Sequence, residues 1–189
     1  MEVRVLLRAP ASRTRVLDPD AALVAAARAD PQAFLALYDR YFERVLGYVR
    51  LRIRDGSTCE DVASTVFTSA LAQLARFRGD GPFAAWLFQI ARNAVRDVQR
   101  RPLAGRLPDE ATASEPDVEE RFLAYERAAE LHTQIRLLTP EQQHLLGLRY
   151  GAGLAFDEIG AIVGADPGTA RVRMHRILEQ LRRRYPNDD

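Results

Sequence analysis

The stretch that decides the fold is EIGAIVGADPGTARVRMHRILEQLRRR, Glu158 to Arg184, near the end of the chain. A short apolar segment is followed by Gly164, by the pair Asp166-Pro167, and then by a longer segment rich in arginine. Glycine commonly ends a helix, and aspartate followed by proline commonly starts one. The pattern therefore predicts a short helix, a turn and a longer helix, which together form a helix-turn-helix. Gly160 lacks a Cβ and is expected to let two crossing helices approach closely.

The longer helix is predicted to have an apolar face and a cationic face. At about 100° per residue, one side of it carries Ala170, Met174, Ile177, Leu178 and Leu181. Val172 falls almost opposite that side, between Arg171 and Arg173. A branched apolar side chain among arginines suits a helix in a DNA groove, where it contacts a thymine methyl while arginines reach guanine or phosphate. A solvated cationic face with one exposed valine is the alternative.

A second arginine-rich helix is predicted in FRGDGPFAAWLFQIARNAVRDVQRR, Phe77 to Arg101. Arg92, Arg96 and Arg100 recur every four residues and form a cationic ridge that faces away from the apolar side. Trp86 and Phe88 flank the apolar side. A basic ridge beside aromatic residues suits single-stranded nucleic acid. The same pattern on its own also fits an ordinary surface helix.

The rest of the chain indicates helices and no strands. Asp18-Pro19, Asp30-Pro31 and Thr139-Pro140 are predicted helix starts, with the proline at the first helical position. Pro102 ends the first block, and the following residues are rich in proline, alanine and acidic side chains. We predict an all-α fold of two small helical bundles joined by a flexible acidic linker. The proposed divisions are a tail at 1–17, a bundle at 18–101, the linker at 102–117 and a bundle at 118–189.

Composition narrows the function. All 27 cationic residues are arginine, and 26 acidic residues reduce the net charge to +1. The charges are segregated, since acidic residues crowd Pro108–Glu120 while arginines crowd Gly168–Arg184. Such segregation is typical of a protein that binds a polyanion.

Other features exclude several classes of protein. The single cysteine, Cys59, rules out an intramolecular disulfide and a multi-cysteine zinc site, and the three histidines are far apart. No apolar run approaches the roughly 20 residues of a membrane helix, and no signal peptide is recognised. No nucleophile–histidine–acid set, phosphate-binding glycine loop or carboxylate pair stands out. We therefore predict a cytoplasmic protein with no metal, no cofactor, no membrane insertion and no enzymatic activity.

Two motifs together resemble a family. FRGDGPFAAWLFQIARN and LTPEQQHLLGLRYGAGLAFDEIGAIVGADPGTARVRMHR resemble the extracytoplasmic-function (ECF) sigma factors of bacterial RNA polymerase, over about Asp20 to Arg184. The resemblance implies a sigma region 2 domain that recognises the −10 element and a sigma region 4 domain whose helix-turn-helix reads the −35 element. It also implies binding to core RNA polymerase, at the β′ clamp helices and the β flap, and regulation by an anti-sigma factor.

The resemblance also implies site residues. Phe77 and Asn93 match positions that form a pocket for a flipped-out −10 base. The full −10 set is Arg76, Phe77, Arg78, Arg92, Asn93, Arg96 and Arg100; the −35 set is Thr169, Arg171, Val172, Arg173, His175 and Arg176; and the polymerase-binding set is Asp61, Ser64, Thr65 and Phe67. Many relatives carry a polar–acidic pair where Ser64 and Thr65 stand, and a serine where Val172 stands.

Two other functions fit part of the pattern. A helix-turn-helix repressor or activator, with the first bundle as a dimerisation or sensor domain, would bind duplex DNA without polymerase. A helical adaptor that binds only protein would show no salt-dependent affinity for DNA.

Overall fold

The computed structural model describes residues 18–100 and 129–184. The tail, the linker at 102–117 and the helix start expected near Val118 lie outside these ranges. The elements in chain order are α1 (Ala21–Ala29), a 3-10 helix (Pro31–Phe34), α2 (Leu35–Arg50), α3 (Gly56–Gln73), a 3-10 turn (Leu74–Arg76), α4 (Phe83–Arg100), α5 (residues 129–136), α6 (Pro140–Leu146), a π-helical turn (Gly147–Gly151), α7 (Phe156–Val163) and α8 (Pro167–Arg184). Every regular element within the described ranges is helical, which confirms the all-α prediction.

The first bundle, α1 to α4, packs around an aromatic and aliphatic core. Its largest fully buried side chains include Tyr48, Phe83 and Phe88. Asp55 starts α3 because its carboxylate accepts the Thr58 N–H at 2.8 Å, as an N-cap residue does.

The predicted start of the first helix was wrong by two residues. The helix begins at Ala21 after Asp20, and Asp18 does not cap it as expected. The Asp18 carboxylate instead accepts the N–H groups of Asp20, at 3.1 Å, and of Phe83, at 3.0 Å. It thereby joins the starts of α1 and α4, a use that local sequence does not indicate.

The second bundle, α5 to α8, contains the predicted helix-turn-helix. Thr139 and Gln142 form a capping box at the start of α6. Gly164 ends α7 with φ at 67°, in the left-handed region that favours glycine. Gly160 is required for a different reason from the one expected, because a Cβ there would lie 2.6 Å from the Ala165 carbonyl oxygen in the turn. The glycine therefore accommodates the turn itself.

The two bundles are in direct contact, which the sequence did not predict. The backbones of α2 and the π-helical turn meet at two glycines, and a Cβ on Gly47 would lie 2.1 Å from the carbonyl oxygen of Gly151. At the margin, Arg44 pairs with Glu158 at 3.1 Å. Within the two described ranges, no helix is long and apolar enough to cross a membrane.

Candidate nucleic-acid interface

Helix α8 presents the cationic face that the sequence predicted. Asp166 fixes its first turn, because the carboxylate accepts the Thr169 N–H at 2.8 Å and the Thr169 hydroxyl group. These hydrogen bonds lower the pKa of Asp166. The apolar side packs inward through Ala170, Met174, Ile177 and Leu181.

The opposite side of α8 is open to solvent. Val172 is 52% exposed, so the prediction of an exposed apolar side chain at this position is confirmed. Arg171, Arg173, His175 and Arg176 are exposed beside it. His175 lies 3.7 Å from Glu179 on the same helix.

Helix α7 supports α8 through Phe156. The guanidinium group of Arg171 lies 5.3 Å from the centre of the Phe156 ring, and that of Arg149 lies 4.9 Å from it. Such cation–π contacts restrain a long side chain without neutralising its charge. Arg171 is thus held at the edge of the face, while Arg173 and Arg176 remain unstacked.

The cationic ridge of α4 is divided between solvent and the second bundle. Arg96 and Arg100 are exposed, as is Asn93, whose side-chain oxygen accepts a hydrogen bond from Gln89 at 3.3 Å. Arg92 departs from the prediction of a ridge that faces outward, because its side chain is only 21% exposed and pairs with Glu141 at 3.0 Å. Contact between the bundles, absent from the sequence pattern, covers this end of the ridge.

Phe77 does not form an open pocket here. It is 8% exposed, and its ring centre lies 5.1 Å from that of Trp86 and 6.0 Å from that of Phe83. Arg76 and Arg78, on either side of it, are exposed. Burying this large ring against α4 stabilises the loop, and the flanking arginines are open to a ligand in this arrangement. The role of Phe77 at a flipped-out −10 base stays a prediction.

The polymerase-binding set is also only partly exposed. Asp61, Ser64 and Thr65 lie on the outer side of α3, where the Thr65 hydroxyl donates to the Asp61 carbonyl at 2.8 Å. Phe67 is buried, with its ring centre 4.8 Å from that of Tyr38. Phe67 packs against α2, which covers that side of α3, and its expected contact with polymerase stays a prediction.

A buried polar cluster joins the bundles, and the sequence analysis missed it. The Tyr48 oxygen lies 2.7 Å from Nδ1 of His144 in α6, and Arg52 donates to the same tyrosine oxygen. With that oxygen accepting from Arg52, the hydroxyl proton points to Nδ1, which makes His144 the neutral tautomer protonated on Nε2. The only sequence signal was a histidine four residues before the buried Leu148.

Burial determines the protonation of this cluster. Desolvation, together with the nearby charges of Arg52 and Arg92, lowers the pKa of His144 from 6.5 to about 3, and desolvation is the largest cause. Desolvation also raises the pKa of Tyr48 to about 12. Both groups are therefore neutral at pH 7, as their hydrogen bond requires.

Two arginine-bearing faces border one cleft. A cavity of about 500 Å³ between α4 and α8 is lined by Gln89 and Arg92 on one side and by Arg173 and Arg176 on the other. A space of this volume matches a small-molecule site and is far too small for a DNA duplex. DNA cannot occupy both faces while the bundles touch in this way.

Cys59 is an interior packing residue. Its thiol is buried and lies 3.3 Å from the Ile53 carbonyl oxygen, to which it donates. Burial raises the pKa of the thiol to about 11, so the helix start does not stabilise a thiolate. Of the residues that the structure describes, no three His, Cys, Asp or Glu side chains are grouped closely enough to hold a metal ion.

Two family models match the chain, Sigma-70 region 2 over residues 37–102 and Sigma-70 region 4 over residues 135–183. They coincide with α2–α4 and with α5–α8. Their order and spacing agree with the two bundles.

Known sigma factors are also similar to most of this chain. The chain is 33% identical to the RNA polymerase sigma factor CarQ of Myxococcus xanthus over 155 residues, which cover 79% of this chain and 87% of CarQ. It is 32% identical to the ECF RNA polymerase sigma factor BldN of Streptomyces coelicolor over 166 residues, 84% of this chain and 62% of BldN. Among solved structures, CnrH in complex with the cytosolic domain of CnrY matches with a TM-score of 0.66 and 23% identity, covering 91% of this chain and 100% of CnrH.

Proposed function

Because the chain belongs to the extracytoplasmic-function group of the sigma-70 family, whose members direct RNA polymerase to promoters and start transcription, we propose that its two bundles divide promoter recognition. The bundle within residues 18–101 recognises the −10 element, and the bundle within residues 118–189 recognises the −35 element. The exposed Val172 between Arg171 and Arg173 carries this proposal. A solvated helix gains nothing from such a residue, whereas a groove-reading helix does.

The residue roles follow from exposure. In the −35 set, Arg173 and Arg176 reach base edges, Val172 contacts an apolar base group, and Thr169, Arg171 and His175 contact the DNA backbone. In the −10 set, Arg76, Arg78, Asn93, Arg96 and Arg100 meet the opened strand. Arg92 joins them once its pair with Glu141 is released, and Phe77 acts after the loop moves or by supporting the arginines beside it.

The polymerase contact is proposed for the outer side of α3, through Asp61, Ser64 and Thr65, with Phe67 holding the helix in place. The β′ clamp helices are the expected partner of this side, and the β flap that of the second bundle. The protein supplies binding free energy and specificity and performs no chemistry, and it works in the cytoplasm. The structure of CnrH was solved with the domain of CnrY bound, and we propose that an anti-sigma partner likewise holds this chain.

The contact between the bundles gives the proposed function a requirement. DNA cannot reach both faces across the cleft between α4 and α8, so promoter recognition requires the bundles to separate. Core polymerase would hold them apart, since each bundle docks at a different place on it.

Reconstituted transcription tests the proposal. Core polymerase with this chain is incubated with a library of random promoters, and transcript starts are mapped. The expected result is a small set of promoters with shared sequences near −35 and −10 that core polymerase alone does not use. Unchanged initiation on adding the chain would refute the proposal, and tight binding to duplex DNA without polymerase would favour a simple helix-turn-helix regulator.

A further inference from the structure

A second cleft between the bundles is lined by cationic side chains and, among the residues that the structure describes, by no acidic ones. Its volume is about 370 Å³, and it lies between the ridge of α4 and the start of the second bundle. The polar lining from the described residues is five arginines and two glutamines, among them Arg52, Arg92, Arg96, Arg100, Arg136 and Gln143. Four of these six residues come from the first bundle and two from the second, so the cleft exists only while the bundles touch.

Arg52 is the best-buried of these cations. It is only 7% exposed, and it donates one hydrogen bond, to the Tyr48 hydroxyl. Its Nε and Nη2 atoms, and Nε of Arg92, are buried and have no hydrogen-bond partner in the part of the chain that the structure describes. Within the described residues, no carboxylate pairs with Arg52. A buried guanidinium group without a counter-charge is costly, and burial lowers its pKa accordingly. An anion in the cleft would relieve that cost.

The lining selects the chemistry of that anion. A guanidinium group presents a planar set of donors that matches phosphate oxygens. No aromatic side chain within residues 18–100 and 129–184 lines the cleft, so these residues offer no platform on which a base would stack. Its volume lies at the lower end of the range of about 300–1,000 Å³ for small-molecule sites. Compact phosphates with several negative charges therefore fit better than a nucleobase.

We propose that this cleft binds a small anion carrying two or three linked phosphate groups, held by Arg96, Arg100 and Arg136 with Arg52 behind them. Because Arg136 belongs to the second bundle, such an anion fastens the two bundles together. On the proposed function, it would also compete with promoter DNA for Arg96 and Arg100. That consequence rests on the −10 assignment, whereas the binding itself does not.

Calorimetric titration of the purified full-length chain with inorganic pyrophosphate and with tripolyphosphate, at about 150 mM salt, a physiological ionic strength, tests the site. The expected result is saturable binding of one anion per chain. Arg136→Gln should weaken it at least tenfold, because it removes the charge contributed by the second bundle. Arg50→Gln is the matched control. This substitution removes the same charge, and Arg50 is exposed and lies outside the cleft. Absence of saturable binding, or equal weakening by Arg50→Gln, would overturn the proposal.

A second variant tests whether the cleft depends on contact between the bundles. Gly47→Ala places a Cβ against Gly151 of the other bundle and meets nothing nearer in its own. It should weaken pyrophosphate binding at least as much as Arg136→Gln, although every lining residue is intact. Undiminished binding by this variant, with its bundles shown to be apart, would contradict the proposal.

Energy transfer between dyes on Gln73→Cys and Glu179→Cys, both exposed and in different bundles, reports that separation. Pyrophosphate should raise the closed-to-open ratio by a factor of 1 + [L]/Kd, the result for a ligand that binds only the closed form. No change in energy transfer at saturating pyrophosphate would overturn the fastening role.

A short single-stranded DNA serves as the second probe and separates a free phosphate compound from nucleic-acid phosphate. Pyrophosphate binding that Arg136→Gln weakens more than it weakens DNA binding supports a small-anion site. If pyrophosphate does not bind and Arg136→Gln weakens DNA binding, the cleft is part of the DNA surface and the proposal is rejected. Neither binding assay contains polymerase. A negative result in these assays would therefore not affect the outcome of the transcription test.

Discussion

The cationic faces of α4 and α8 differ in what restrains them. On α8, Arg173 and Arg176 line the cleft, and among the described residues neither forms an ion pair with the first bundle. On α4, Arg92 is tied to Glu141, while Arg96 and Arg100 border the second, arginine-lined cleft. Under the proposed function, helix α8 is therefore ready to read DNA as soon as the bundles separate, whereas helix α4 must first exchange a protein partner for a nucleic-acid one.

This difference shows where the two bundles contact each other in the closed form, a region called the closed contact below. It is made mainly by α2, α4, α6, α7 and the π-helical turn, whereas the arginines of α8 that are proposed to read DNA remain exposed. The DNA-reading helix can therefore change its sequence preference without altering how the bundles hold each other. The ridge of α4 has no such independence, because one of its arginines serves both purposes.

The largest effect is expected on α8. Replacing Arg173 and Arg176 together by alanine should reduce transcription from a promoter chosen by the unaltered holoenzyme by about 30-fold or more, since one good arginine–base contact contributes roughly 1–3 kcal/mol of discrimination. Quantified run-off transcripts measure the loss. The control is Arg50→Ala. Each substituted site loses one positive charge, as in the double variant, but Arg50 lies away from both clefts, so this control should retain nearly full activity. Equal losses in the two variants would mean that α8 contributes only general electrostatic attraction.

The next effect concerns the contact itself. Gly47→Ala should open the bundles, because its Cβ would overlap the Gly151 carbonyl group of the other bundle. Overpacking of this kind costs about 1–3 kcal/mol, which corresponds to a shift of roughly 5- to 150-fold toward the open form. The dye pair on α3 and α8 measures the shift, and the free protein should bind promoter DNA correspondingly more tightly.

The matched control for that variant is Gly56→Ala. Gly56 begins α3, and a Cβ there would meet nothing within 4 Å. Its energy transfer should equal that of the unaltered chain. An open form that bound DNA no better would show that contact between the bundles does not restrict promoter recognition.

Local signals account for what the sequence predicted well. Gly164, Asp166 and Thr139 determine helix ends through their own dihedral angles and hydrogen bonds, so the helix-turn-helix and its exposed Val172 were predictable. The burial of Phe67 and Phe77 was not predictable in the same way, because it depends on which neighbouring helix covers them. Periodicity marks a side chain as apolar or polar, but it does not identify its partner.

The closed contact could not have been predicted from one sequence by these means. Gly47 lies within α2 and Gly151 ends the π-helical turn. Neither glycine has a local sequence feature that indicates contact with the other. His144 looked like a solitary histidine, and its role depends on Tyr48 in the other bundle. The amphipathic patterns of the two bundles were each complete, which suggested two independent units.

A smaller effect should follow from pH. In the closed form burial holds the pKa of His144 near 3, against its ordinary 6.5, so only the open form binds the proton between these values. The stabilisation of the closed form by His144 is complete above pH 6.5. As the pH falls below that value, the closed-to-open ratio declines by about tenfold per pH unit. Energy transfer between the bundles should therefore fall as the pH is lowered from about one unit above that ordinary pKa to about one unit below it.

The variant His144→Gln separates this histidine from other titrating groups. A glutamine can accept the Tyr48 hydrogen bond and does not titrate, so its closed fraction should stay level over the same range. Glutamate side chains ordinarily titrate near about 4.3, below the range scanned. A slope that survived in the variant would assign the pH response to another group.

The smallest effect is expected for the two ion pairs across the contact, and it decides which helix controls closure. Glu141 is 75% exposed, and an exposed pair contributes only about 0.2–1 kcal/mol. A double-mutant cycle on Arg92→Gln and Glu141→Gln should therefore change the closed-to-open ratio by about five-fold at most. The same cycle on Arg44→Gln and Glu158→Gln is the matched comparison, because that pair also joins the bundles but lies outside the ridge.

Both cycles should weaken closure, but only Arg92→Gln should also reduce opening at the −10 element, as measured by permanganate reactivity of the melted strand. Equal effects on melting from both pairs would mean that Arg92 acts through closure alone. In that case the ridge that meets the opened strand would begin at Arg96.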